Sequence, residues 1–404
     1  MKSSSGNRTK AAYSAKRVGL LPDLPESMGI ILLFGIFVTL YTQLLGGYLD
    51  AVAILLIVGV CFLRDRRFRI SAAIIIASGL SAAYGLIWVL SCTGVTCGRE
   101  VVGTGTVVWQ FAVYLFLFAV LSAHEMIKIT AKSVVIAILG FFAFLAVTGQ
   151  FTLFESLAAL GAGRFYQSYR FGSQMEINAI NFSALLAATL VPFAFPRTAR
   201  DFVGYLALFL IAIFIVATFS RSGLILFGVL MVVSGFWLWR LTALNTLVLI
   251  FAILAAFQIL AMSGYFDQRT FDLATDRSFA IRISAYDLMG EIEILGNKAA
   301  LTHHFIRRGA VDNAFVRHVV GGGALVILLL FAIGPAIGRS FRRWRHRDLS
   351  ARSAIALLGW LIAVLADDTF FSIWGAFLIG LFVTPLADSK SNEHAAYGRA
   401  RYSK

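Results

Sequence analysis

Charge is scarce in this chain. Only 14% of its 404 residues are Asp, Glu, Lys or Arg, while 59% are hydrophobic. A soluble domain of that make-up would expose large apolar patches, so an ordinary soluble fold is excluded. Cysteine is scarce as well, and three of them provide no disulfide framework. Cys61 lies inside an apolar run, where a thiol is inert. Cys92 and Cys97, in SCTGVTCG, leave two readings open: a small local disulfide, or two free thiols. The chain also lacks HExxH, paired CxxC motifs, a P-loop Gly-Lys-Ser/Thr and GxSxG. The usual metalloprotease, zinc and ATPase readings therefore have no support.

What the chain does have is a series of continuous apolar runs of about 17–25 residues, the length that crosses a bilayer as a helix. They do not alternate with polar residues, which argues against a β-barrel. Twelve spans are predicted, at 28–46, 50–63, 70–91, 103–121, 133–149, 179–195, 202–219, 222–238, 245–262, 314–338, 352–368 and 370–387. The expected fold class is an all-α polytopic membrane protein. Residues 1–27 form a basic tail with no apolar core before Gly29, and read as a cytoplasmic tail rather than a cleaved signal peptide. Nine spans occupy 28–262, with a loop at about 150–178. A large loop covers 263–313, three spans follow over 314–387, and 388–404 is a second tail.

The formal net charge is +14. Its distribution matters more than its sum, and points to membrane topology rather than to nucleic acid. With both termini inside, the inner segments hold 24 of the 35 Lys and Arg residues. The outer residues run against that bias, and ten of those eleven are arginine, Arg164, Arg170, Arg221, Arg277 and Arg282 among them. Arginine grips phosphate with a planar fork and does not deprotonate. An outward face rich in arginine suits a phosphate-bearing ligand at the outer leaflet; loop solvation and snorkelling are the competing explanation.

Position separates some of these. Arg221 sits in ATFSRSGLILFG, where one span ends and the next begins, with Ser220, Ser222 and Gly223 to turn the chain and no acidic residue close in sequence. In the first outer loop a short interfacial helix is expected at Phe154 to Leu160. Arg164 and Arg170 follow among Phe165, Tyr166, Tyr169 and Phe171. In the large loop, Phe279, Ile283, Tyr286 and Gly290 fall at i, i+4, i+7 and i+11, beside a stripe of Ile281, Ala285, Leu288 and Ile292. That spacing predicts an amphipathic helix, with Arg282 embedded between apolar positions. LGNKAALTHHFIRRGA is expected to be irregular or only briefly helical. Asp312 or Asn313 is placed to cap the tenth span, and Gly321, Gly322 and Gly323 allow a kink or close helix approach.

His303 and His304 diverge on most backbones and have no carboxylate cluster beside them, so no metal is expected. The remaining chemistry is arginine electrostatics with Asp312, His303 or His304 as a base. That set suits displacement of a phosphate leaving group by a hydroxyl.

The order of these features resembles the O-antigen ligase and Wzy-type polysaccharide polymerase superfamily over about residues 164–331. The carriers are Arg170-Phe171-Gly172 to Asn181-Phe182-Ser183, Ser220-Arg221-Ser222-Gly223, Arg282 to Tyr286, Leu295-Gly296, and Asp312-Asn313-Ala314-Phe315 to Gly321. The resemblance implies a GT-C-like membrane glycosyltransferase of the bacterial inner membrane. Its substrate would be a polyprenyl-pyrophosphate-linked oligosaccharide, transferred to an acceptor glycan at the periplasmic face without metal or other cofactor. Arg221 and Arg282 would hold the pyrophosphate, with Arg277, Arg170 and Arg164 contributing. Asp312 stands where the ligases carry a histidine, so the base is Asp312 beside Asn313, or His303, His304 or His318 in its place. A chain-length regulator or flippase is an implied partner, and nucleic acid is not. Asp-Asn at this position looks more like the polymerases than the ligases. A ligase is the runner-up and a transporter of an anionic lipid-linked substrate the third reading. A purely structural membrane protein gives no reason for Arg221 and Arg282 to sit among apolar residues.

Overall fold

The structure, a computed structural model, describes residues 24–42, 72–92, 99–123, 126–162, 177–196, 198, 200–239, 284–294, 296–308, 314–343, 349–366 and 371–383, with isolated positions at 59 and within 247–258. Among them there are helices and no strands. In chain order these are α1 Leu24–Thr42, α2 Ala72–Cys92, α3 Arg99–Ala123, α4 Ala131–Val147, α5 Leu153–Gly161, α6 Ile177–Thr189, α7 Val191–Ala194, α8 Phe202–Ala217, α9 Arg221–Leu238, a 3-10 turn Ala285–Glu291, α10 Lys298–Arg308, α11 Ala314–Gly322, α12 Ala324–Arg343, α13 Leu349–Ala366 and α14 Ile373–Val383.

The all-α class expected from the apolar runs is what these residues adopt. Among the described residues α9 alone is long and apolar enough to cross a membrane by length and composition; eight other apolar helical stretches run 10–17 residues. The expected spans at 50–63 and 245–262 fall outside the described residues except for isolated positions. Two expected spans are not single helices. The run at 179–195 breaks at Leu190 into α6 and α7, where Pro192 contributes no backbone donor. The run at 314–338 breaks at Gly323, whose φ of 52 takes the chain out of the helix between α11 and α12.

Side-chain contacts give each helix a direction. α1 and α4 run parallel: Gly29 lies against Lys128 and Ile129, and Phe37 stacks on Phe141 at 5.4 Å. α3 and α14 run parallel: Phe111 meets Phe371 and Phe118 meets Phe377, each at 5.1 Å, and Ser122 Oγ donates to the Leu381 carbonyl at 3.4 Å. α6–α7 and α9 run parallel, because Gly223 lies against Ala184 at one end and Trp239 Nε1 donates to the Pro196 carbonyl, 2.7 Å, at the other. α13 runs against them. Its Arg352 Nη1 donates to the carbonyls of Pro192, Phe193 and Phe195, and Gly359 meets Leu230 further along. α8 begins beside Pro196 and brings Phe214 to Phe141 and Phe142. The helices thus share two ends. One, the Arg352 end, holds Lys128, Pro196 and Trp239. The other, the cap end, holds the Thr218–Arg221 turn, the last turns of α2 and the start of α14.

The core between the ends is strongly aromatic. Trp88, Trp360, Phe111, Phe118, Phe141, Phe214, Phe371 and Phe377 are fully buried, mostly in edge-on pairs, the arrangement the ring quadrupole favours. In the described bundle helices, Asp, Glu, Lys and Arg occur only in the first or last turns.

Candidate functional site

The cap end is built by short elements. A short helix, expected at Phe154 to Leu160, is there as α5. In the large loop, the chain from Ser284 forms a 3-10 turn. Of the two expected stripes, Ala285 and Leu288 are buried, while Tyr286 is 53% exposed. The stretch expected to be irregular or only briefly helical carries the eleven-residue helix α10. Asn297 starts it, accepting from Ala300 N at 2.9 Å through Oδ1.

The triple glycine holds this cap on the bundle. Glu293, Ile294, Gly296 and Asn297 lie against the α11–α12 break, where Asn297 N donates to the Val320 carbonyl at 2.7 Å and Ala324 N to the Ile294 carbonyl at 3.0 Å. A Cβ at Gly296, whose φ is 83, would overlap the Gly321 carbonyl, and one at Gly321 would overlap the Trp88 ring. The kink and close approach read from Gly321–Gly323 are therefore both present.

The histidines separate. His303 is exposed and His304 is 6% exposed. On a helix adjacent residues point about 100° apart, so one of the pair faces out and the other in. His304 Nε2 lies 3.5 Å from Ser284 Oγ, and its Nδ1 has no hydrogen-bond partner among the described residues. His318, on α11, is enclosed differently. Its Nδ1 is 3.2 Å from the Tyr84 hydroxyl and its ring lies edge-on to Phe371 at 4.3 Å. Tyr84 in turn packs on Trp88.

Lys298, the first residue of α10, holds its ammonium 5.3 Å from the Trp88 ring centroid. Burial pushes its pKa below the usual lysine value.

Arg221 opens α9 and is half-buried. Ser220 caps the helix by accepting from Gly223 N at 3.2 Å. The turn before it passes through Phe219 with φ 51, the one non-glycine at positive φ among the described residues. For a bulky residue that conformation costs about 1–3 kcal/mol and tends to mark a functional constraint. An arginine at a helix N-terminus faces the positive end of the dipole, so it is the surroundings of the turn, not the helix, that keep it there.

Arg164, Arg170, Arg277, Arg282, Asp312 and Asn313 lie outside the described residues. So do Cys97 and most of the link that would close a Cys92–Cys97 disulfide. Among the described residues no three His, Cys, Asp or Glu side chains stand together as a metal site would require.

Sequence reasoning missed Tyr84, Trp88, Ser284 and Lys298. Tyr84 and Trp88 are four apart at the end of an apolar run, a spacing that shows a shared face but not what covers it. Neither a protein-family model nor a curated protein matches this chain.

Proposed function

We propose that the chain is a polytopic inner-membrane glycosyltransferase, a polysaccharide polymerase. It transfers glycan from a polyprenyl-pyrophosphate-linked oligosaccharide to an acceptor sugar hydroxyl at the periplasmic face. The observation that carries this reading is the separation of charge from core. Arg221 at the start of α9 and Lys298, His303, His304, Arg317 and His318 on the short helices of the cap all belong to one end, while the aromatic middle of the described bundle has no charged residue. A transporter would place ionisable groups in mid-span, where its substrate passes.

The twelve-span topology belongs to this proposal. It is supported by the agreement between the contact-derived helix directions and the in–out alternation that puts most Lys and Arg inside. It is also supported by large apolar side chains facing outward on the bundle helices, such as Ile31, Leu86, Phe209, Ile225 and Phe331. Arg221 and Arg282 would stabilise the leaving pyrophosphate, with Arg277, Arg170 and Arg164 nearby in the outer loops. A ligase would use the same face with a different acceptor.

The test is product formation by purified protein in nanodiscs, given polyprenyl-pyrophosphate oligosaccharide without metal or nucleotide. A ladder of repeat units is expected, and Arg221→Ala should reduce it by about 100-fold or more. Intact donor in every lane, whichever acceptor is supplied, would reject the proposal.

A further inference from the structure

We infer that the glycan handled by this protein is acidic, and that Lys298 binds a carboxylate of its repeat unit at the cap end, apart from the turn that bears Arg221. This rests on the proposed function and adds the charge class of the substrate to it.

Lys298 stands out first in the sequence. Of the eleven Lys and Arg residues expected on the outer side, it is the one lysine. An arginine fork suits the paired oxygens of a phosphate, whereas a lysine presents a single compact charge. The structure then sets it apart in space. Its ammonium lies 5.3 Å from the ring centroid of Trp88 on α2, a helix that packs on α3 and α12. Arg221 opens α9, which packs on α6, α7, α8 and α13. The two cations thus stand on different groups of helices.

Lys298 is also held in place. The residue before it, Asn297, donates its backbone N–H to the Val320 carbonyl at 2.7 Å, and the Trp88 ring lies where a Cβ on Gly321 would be. Both partners of the cation–ring contact are therefore pinned to the α11–α12 break, and the ammonium is set in position before any ligand arrives.

Its charge is opposed twice there. Burial disfavours it, and the first turn of α10 presents the positive end of the helix dipole. That turn holds no acidic residue. Glu293 Oε1 accepts from Asn297 Nδ2 at 2.9 Å, and among the described residues no carboxylate pairs with Lys298. The Trp88 face offsets part of the cost but carries no net charge. Lys298 is half-buried, so a ligand still reaches it, and an ion pair formed there is worth more than one in open water. A single ammonium matches a single negative charge. The carboxylate of an acidic sugar fits it, while the higher charge of a diphosphate suits clustered arginines.

The experiment uses the lipid-linked repeat unit of the native host, as isolated and after carbodiimide reduction, which turns each carboxylate into an alcohol. Both forms are given to wild type and to Lys298→Gln in the ladder assay. Reduction should raise the wild-type KM by about 10- to 100-fold, the worth of one charge-assisted hydrogen bond, with kcat unchanged. Lys298→Gln should show the raised KM on either form, so that reduction no longer matters to it. Should Lys298→Gln not yield a monodisperse protein, wild-type Lys298 is acetylated with a water-soluble amine reagent and its modification read by peptide mass spectrometry. Native oligosaccharide freed from its lipid should protect it, and the reduced oligosaccharide or inorganic pyrophosphate should not. A repeat unit without a carboxylate overturns the inference and leaves the proposed function standing. Equal use of the two forms by wild type, a Lys298→Gln protein that still tells them apart, or protection by pyrophosphate or by the reduced oligosaccharide overturns it as well, as does a native oligosaccharide that protects nothing. Intact donor in every lane, by contrast, rejects the proposed function, and this inference with it.

Discussion

Gly296 and Gly290 sit six residues apart in the same cap segment and should respond to alanine in opposite ways. At Gly296 an alanine meets both a left-handed φ of 83 and the Gly321 carbonyl, which is backbone and cannot swing aside. At Gly290 nothing lies within 4 Å. Gly296→Ala should destabilise by about 2–4 kcal/mol and Gly290→Ala by less than about 0.5 kcal/mol, read as shifts in thermal aggregation of the detergent-solubilised protein. Tyr84→Phe isolates a single hydroxyl in the same way. It leaves His318 Nδ1 buried without that partner and should cost about 1–3 kcal/mol with no change in packing volume. Lys298 supplies a pH dependence. Its pKa is lowered in the fold by burial, so the unfolded chain binds the extra proton between the folded value and 10.5. Stability should rise with pH across that window, the penalty being fully present below it. Lys298→Met should flatten the alkaline part of a melting-temperature–pH curve; a curve of unchanged slope would show that the burial is not felt.

At the scale of the element, α9 and the α6–α7 pair are finished by side chains whose loss should be measurable. Ser220→Ala removes the cap of α9 and should cost about 0.5–2 kcal/mol. What was legible in the sequence at this scale follows from how local the cause is. The α5 helix and the break at Gly323 were readable because a helical period and a run of glycines act within a few residues of themselves. α10 was legible only as one of two alternatives, although Asn297 followed by Lys298-Ala299-Ala300-Leu301 is a capped start with good helix formers. The adjacent histidines and arginines drew attention to polarity and away from that signal. Once α10 is a helix, His303 and His304 cease to be equivalent, and only the second can take part in a buried site. The breaking of 179–195 at Leu190 was hidden by an apolar run that continues across it, since Arg352 completes the freed carbonyls from a helix about 160 residues later. Of the arginines that the sequence placed in the site, Arg221 is the one that the described residues include, at the start of α9.

At the scale of the whole molecule, the two ends of the bundle make a prediction independent of any enzyme assay. The parallel pairs α1–α4, α3–α14 and α6–α9, with α13 running against α9, fix which turns share a face, and in the proposed topology the count of Lys and Arg assigns the Arg352 end to the inside. Glu291, exposed on the cap, and Thr198, exposed beside Pro196 at the opposite end, are therefore on opposite sides of the membrane if the chain spans it as proposed. In a background with Cys61, Cys92 and Cys97 changed to serine, Glu291→Cys should react with a membrane-impermeant maleimide in intact spheroplasts. Thr198→Cys should react only after permeabilisation. Labelling of both without permeabilisation would mean that the bundle does not span the membrane with these ends apart. The reverse pattern would put the arginines and histidines in the cytoplasm. There the polyprenyl-linked oligosaccharide would not yet have been presented at the outer leaflet, and a periplasmic transfer could not be the reaction this end performs.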